Sequence, residues 1–107
     1  MSKFTGTEGE AIELAQAAAW TANYRKQNAE VANAAKAHFF GREILKQILE
    51  QEGCMGIRMY YALDDNGQRQ LILIGVHAEG EDMEEGVVAD KSTVCPPDCD
   101  QESSLNG

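Results

Sequence analysis

The chain lacks several features that would mark a function at once. It has no cluster of basic residues: nine Lys and Arg are scattered among eighteen Asp and Glu, for a net charge of −9. Phosphate recognition draws most of its affinity from counterion release by grouped cations. Nucleic acid is therefore not an expected partner, and an anionic lipid surface is excluded on the same ground. No apolar run approaches the roughly 20 residues that span a bilayer. The start, "MSKFTGTEGE", lacks the apolar core of a secretory signal, and a cytoplasmic location is expected. Cysteine is scarce and odd in number, three in 107 residues, which argues against a secreted disulfide scaffold.

Catalytic motifs are missing too. "GCMG" has no following Lys-Ser/Thr and leads into a strand, so it is no phosphate loop. There is no G-x-S-x-G and no H-E-x-x-H. "LDDNGQ" invites a calcium reading, but with Gly67 as sixth residue the first and twelfth are Ala62 and Leu73, neither of which ligates. No enzyme, no catalytic residue and no cofactor is expected.

What is present suits one globular domain over 1–107, with 1–6 a flexible arm and 100–107 a polar tail. The hydrophobic share is 43% and the charged share 25%. Thr7 and Glu10 have the spacing of a capping box, which starts a helix over about 8–27. Its stripe of Ala11, Leu14, Ala15, Ala18 and Ala22 predicts close packing of a neighbouring element. Residues 27–36 read equally as helix or linker. A second helix is expected over about 36–52, anchored by Phe40, Ile44 and Ile48, with Gly53 as its C-terminal cap. His38 would open that helix.

The period then changes from helical to two. "GIRMYYAL" and "QLILIGVHA" read as strands around Asn66-Gly67, the preferred pair of a two-residue type I′ turn. That turn sets Tyr61 opposite Ile72, Met59 opposite Ile74 and Ile57 opposite Val76. Ile57, Met59, Tyr61, Leu63, Ile72, Ile74 and Val76 then share the core face. The other face carries Arg58, Tyr60, Ala62, Leu71, Leu73 and His77, too apolar for water alone. Tyr60, Leu71 and Leu73 are the candidate interface of a homodimer; another protein partner is also compatible with it. "VVADKSTV" reads as a third, edge strand.

"CPPDC" is the sharpest chemical signal. Extended prolines would hold Cys95 and Cys99 about 12 Å apart, whereas a Pro97-Asp98 turn would bring them within disulfide reach. Zinc needs four ligands, and Cys54, Cys95, Cys99 and His77 are the candidate set. Disulfide, metal site and free thiols all stay open. A small-ligand pocket near Trp20, Tyr24 and Tyr61 is a third alternative, since such sites use aromatic walls.

"WTANYR", "HFFGREILKQILEQEGCMGIRMYYALDDNGQRQLILIGV" and "CPPDC" together resemble a set of small bacterial proteins of unassigned function that share a GCxGIRxYYxxDDNG run and a late CPPxC. The resemblance covers about Trp20 to Cys99. It implies a stand-alone bacterial cytoplasmic domain and assigns no site residue. The expected fold class is α+β, two or three N-terminal helices packed on a small antiparallel sheet built around a β-hairpin.

Overall fold

The computed structural model of the chain describes residues 2–31 and 34–106. The fold is α+β, and it contains the expected hairpin sheet with a helix on it. In chain order the elements are α1 (Leu14–Gln27), β1 (Ala37–Phe39), α2 (Arg42–Leu49), β2 (Cys54–Leu63), β3 (Arg69–His77), β4 (Val88–Ala89) and β5 (Thr93–Cys95). They form two compact units, Met1–Gly9 with Phe40–Ser92, and Glu10–Phe39 with Thr93–Gly107.

The first unit is built on an antiparallel sheet of order β2-β3-β4. Its register corrects the sequence expectation by one residue. Tyr61 faces Leu71, Met59 faces Leu73 and Ile57 faces Gly75. The cause lies in the turn. Asp64 N–H donates to Gln68 O at 2.9 Å, and Gly67 N–H donates to Asp64 O at 2.9 Å. The loop therefore has three residues, Asp65, Asn66 and Gly67, and only Gly67 takes positive φ, at 81°. Asp64 Oδ1 accepts from both Asn66 N and Gln68 N at 2.9 Å. This side-chain grip favours a type I turn with a left-handed Gly over the two-residue type I′ turn.

A one-residue slip turns every side chain of one strand to the other face. Leu71 and Leu73 consequently join Ile57 under α2. Leu73 and Ile48 have no exposed surface, and with Ala89 they form the core. Phe40, Ile44, Leu45, Cys54, Ile57, Leu71 and Val87 pack around them. Gly75 is held to glycine by close approach: a Cβ there would lie 2.9 Å from Gln51 Nε2 and 3.0 Å from Cys54 Sγ. The Gln51 amide fastens the end of α2 to the sheet, donating to Ile48 O at 3.0 Å and accepting from Val87 N at 2.8 Å.

The helices are shorter than expected. α1 begins at Leu14 behind an uncapped Glu13, and the Thr7–Glu10 box does not form. Gly6 and Gly9 both take positive φ and interrupt the helical path. A glutamate grips the backbone two residues upstream instead: Thr5 N and Gly6 N donate to the Glu8 carboxylate at 3.0 and 2.9 Å. These bonds, Thr5 foremost, hold the Glu8 carboxyl below its ordinary pKa. Near the start of the chain, Lys3 N and Phe4 N donate to Ala78 O at 2.8 and 2.7 Å. α2 begins at Arg42, and the residues before it, including His38, are extended. Gly53 has the expected positive φ, but as a turn into β2 beyond the helix end.

In the second unit, β1 pairs with β5, Ala37 opposite Cys95 and His38 opposite Val94. Lys36 N–H extends this ladder to Cys95 O at 2.6 Å. That pairing captures residues expected to be helical, a tertiary override of propensity. "VVADKSTV" is thus two strands, not one: β4 pairs with β3 and β5 with β1, with Lys91 between them at φ 60°. No residue of α1 is buried, contrary to the close packing expected of its alanine stripe. Alanine methyls offer little apolar area to remove from water. Ala32 and Asn33, within the 27–36 segment left open between helix and linker, lie outside the described residues. Before them α1 ends at Gln27 and the chain continues in turns, with Val31 N donating to Asn28 O at 3.1 Å.

The corrected register makes a measurable prediction. Leu73→Ala should cost about 2–5 kcal/mol of unfolding free energy, as for deep core truncation. Tyr61→Ala, on the same face but exposed, should cost no more than about 0.5 kcal/mol at low protein concentration. Urea unfolding of both variants checks it; the reverse ranking would restore the two-residue turn.

Candidate functional site

The surface that stands out is strand β2. It lies at the edge of its sheet and runs for ten residues. Its apolar side chains are covered only near Ile57. Beyond α2, Met59 is 55% exposed, Tyr61 94% and Leu63 70%. All three alternate onto the face that Leu71 and Leu73 bury.

The backbone of this edge has a definite phase. The Asp64–Gln68 bond makes that pair a hydrogen-bonded one. Alternation along an antiparallel ladder then gives bonded pairs at Ala62/Gln70, Tyr60/Ile72 and Arg58/Ile74. The far side of β3 agrees, since Gly75 O accepts from Met83 N and His77 N donates to Glu81 O, both at 2.9 Å, away from β2. The N–H and C=O groups of Ile57, Met59, Tyr61 and Leu63 therefore point outward from the sheet. Long apolar edges are usually blunted by Lys, Pro or a bulge. Here the one register shift lies at the start of the strand, between Cys54 and Gly56, and Arg58 is its one charge.

On the opposite face, Arg58 is tied down. Its Nη1 reaches Asp82 Oδ1 at 2.6 Å and Gly80 O at 3.3 Å. The Tyr60 hydroxyl donates to the other Asp82 oxygen. The Arg58 guanidinium lies 5.6 Å from the centre of the Phe4 ring, within cation–π range. A cleft of about 310 Å³ opens beside this group, lined by Phe4, Glu8, Met55, Arg58 and Val76. Sequence reasoning missed the arrangement. Its signals were Phe4 within an otherwise polar start and the lone Arg58 among apolar neighbours.

The interface expected from the sequence is thus corrected. Of Tyr60, Leu71 and Leu73, Leu73 is in the core and Leu71 packs against it; Tyr60 alone stays exposed, and it is bonded to Asp82. The aromatic set divides as well. Trp20 is 59% exposed on α1, and the Tyr24 hydroxyl donates to Ala35 O at 2.8 Å, whereas Tyr61 belongs to the other unit.

The thiols resolve differently. Cys95 and Cys99 are joined by a disulfide, their Cα atoms 4.8 Å apart. The segment is a turn rather than an extended proline run: both X-Pro bonds are cis, Asp98 N donates to Val94 O and Cys99 N to Pro97 O, each at 3.1 Å. Beside it lies a cleft of about 360 Å³ lined by Thr21, Lys36, His38, Phe39 and Leu105. Burial lowers the His38 pKa. Cys54 is a free thiol that donates to Gly56 O at 3.2 Å. His77 pairs with Cys54 rather than with the Gly56 that a two-residue turn implies: the longer loop moves it by one residue and the register shift between Cys54 and Gly56 by a second. Among the described residues no group of three or more His, Cys, Asp or Glu is placed to hold a metal; Cys54 and His77 belong to the first unit, Cys95 and Cys99 to the second. No helix among the described residues is long and apolar enough to cross a membrane.

Denatured, unreduced protein should titrate as one thiol per chain, Cys54, and as three after reduction; three before reduction would contradict the Cys95–Cys99 bridge. No protein-family model matches the chain, and no curated protein or solved structure matches it either.

Proposed function

We propose that the chain is a small, acidic, non-enzymatic assembly module that works as a homodimer in a bacterial cytoplasm and uses the hairpin as its contact. The interface is not the one first expected. It is the free edge of β2 together with Met59, Tyr61 and Leu63. One observation carries this reading: in the outer half of a ten-residue edge strand, the exposed Met59, Tyr61 and Leu63 side chains and the outward backbone groups of the same residues lie along one stretch. Strand addition uses these two features together, main-chain bonds for affinity and alternate side chains for fit. The surplus of acids elsewhere on the chain serves solubility and leaves the outer half of β2, residues 59–63, as an uncharged place to associate.

A second reading has its own support. The closed Cys95–Cys99 pair is unusual for a cytoplasmic chain, where such bridges are mostly transient or redox-sensing. On that reading the pair opens and closes with the thiol balance of the cell. Three titratable thiols in unreduced protein would remove its basis.

The assembly reading is tested by sedimentation velocity over a wide concentration range. The wild-type chain should move from one to two chain masses as concentration rises. Tyr61→Lys with Leu63→Lys should hold it at one mass with an unchanged circular-dichroism spectrum, because both side chains are exposed. A wild-type chain that is monomeric throughout, or a double variant that still dimerises, would end the reading.

A further inference from the structure

The β2 edge also says how its partner sits. We infer that a second copy of the chain pairs with it strand to strand, β2 antiparallel to β2, with the two-fold axis at Tyr60. This rests on the assembly reading above and adds the identity and register of the bound strand.

The argument begins with the outward groups. Ile57, Met59, Tyr61 and Leu63 each point an N–H and a C=O away from β3. In an antiparallel pair, residues that exchange bonds must both point toward the partner. A two-fold axis through β2 therefore has to match odd residues with odd residues. Centring it on Tyr60 sets Ile57 against the partner's Leu63 and Met59 against the partner's Tyr61, and the reverse by symmetry. All four outward residues of each copy are then paired. Centring on Met59 would carry Leu63 onto the partner's Met55, beside which Gly6 already lies, a Cβ on Gly6 coming 3.4 Å from Met55 O. Centring on Tyr61 would carry Ile57 past the strand into the partner's turn, at Asp65.

The side chains agree with the backbone. In the Tyr60 register Met59 and Leu63, with Tyr61, form one apolar strip across the axis, continuous with the strip of the partner. Cross-strand aromatic and aliphatic pairs of this kind are what stabilise sheets. No like charges oppose each other, because Arg58 is the one charged residue of β2 and faces the partner's Ala62. Arg58 instead comes diagonally across from Asp64 of the partner subunit, within reach of a long side chain. Hydrogen bonds from Gln68 N, the Gln70 amide and Asn66 N hold the Asp64 carboxyl below its ordinary pKa, so it is charged at neutral pH. A chain with net charge −9 would otherwise repel its copy; here the facing strands are neutral or complementary. The result is one six-stranded sheet, three strands from each copy.

At the axis, the two Tyr60 residues form a pair without mutual hydrogen bonds, whose Cα atoms lie about 4.5 Å apart. That falls within the range a disulfide spans, about 4.4–6.8 Å. Tyr60→Cys should therefore form an intermolecular disulfide under mild oxidation in most of the protein, with wild-type chain as the control for its own thiols. Met59→Cys and Tyr61→Cys should cross-link poorly. Tyr60→Cys loses the bond to Asp82, so a second readout uses the native sequence. A dimer mixed from isotope-labelled and unlabelled chains should show a contact between the Hα atoms of Arg58 and the partner's Ala62. A species of two chain masses that cross-links through Met59→Cys or Tyr61→Cys, or that lacks the Arg58 contact, overturns this pairing and leaves the assembly reading standing. A chain that stays monomeric overturns both.

Discussion

The Asp64 carboxylate is the constraint on which the first unit depends. By accepting from Asn66 N and Gln68 N at once, it lengthens the hairpin loop from two residues to three. A single residue in a loop has small energetic weight. Its geometric weight is large, because the side-chain period of a strand is two. With the shift, Leu73 becomes the residue that α2 closes over, and Ile48 meets it without exposed surface. Gly75 is carried to where the Gln51 amide and the Cys54 thiol leave no room for a side chain. The same shift directs the backbone of Ile57, Met59, Tyr61 and Leu63 outward.

Core and edge are therefore two results of one local choice. α2 is eight residues long and covers the sheet only near Ile57, Leu71 and Leu73. The outer half of β2 is left bare on the helix side, while its other face is dressed by Arg58, Tyr60, Asp82 and Phe4. The polar face is satisfied within the chain, and the apolar face with its free backbone is not. The proposed edge-to-edge contact rests on this asymmetry.

Much of this was legible from residue order. The change of period after Gly53 marks the passage from helix to sheet, and Phe40, Ile44 and Ile48 identify the helix face that packs. The α+β class follows from those signals. The side of the sheet that Leu71 and Leu73 occupy did not, and the reason is specific. Asn66-Gly67 is a strong two-residue signal, but Asp64 two positions earlier is a strong acceptor for a longer loop, and the sequence presents both. The carboxylate prevails over the dipeptide, and Leu71 and Leu73 therefore lie on the helix-covered side. The extended run Ala37–Phe39 was hidden for another reason: it owes its form to Thr93–Cys95, far along the chain, and nothing local encodes that pairing. The CPPDC turn closes through backbone bonds to Val94 and Pro97 that residue types alone do not announce.

The most direct test is residue-resolved amide exchange along β2 in concentrated and dilute protein. Arg58, Tyr60 and Ala62 should exchange slowly at both concentrations, because their amides bond to β3. Ile57, Met59, Tyr61 and Leu63 should be protected in concentrated protein and exchange freely on dilution. Odd-numbered amides that are slow at every dilution, with the even ones fast, would contradict the hairpin register. Odd-numbered amides that are fast even in concentrated protein would contradict the edge contact.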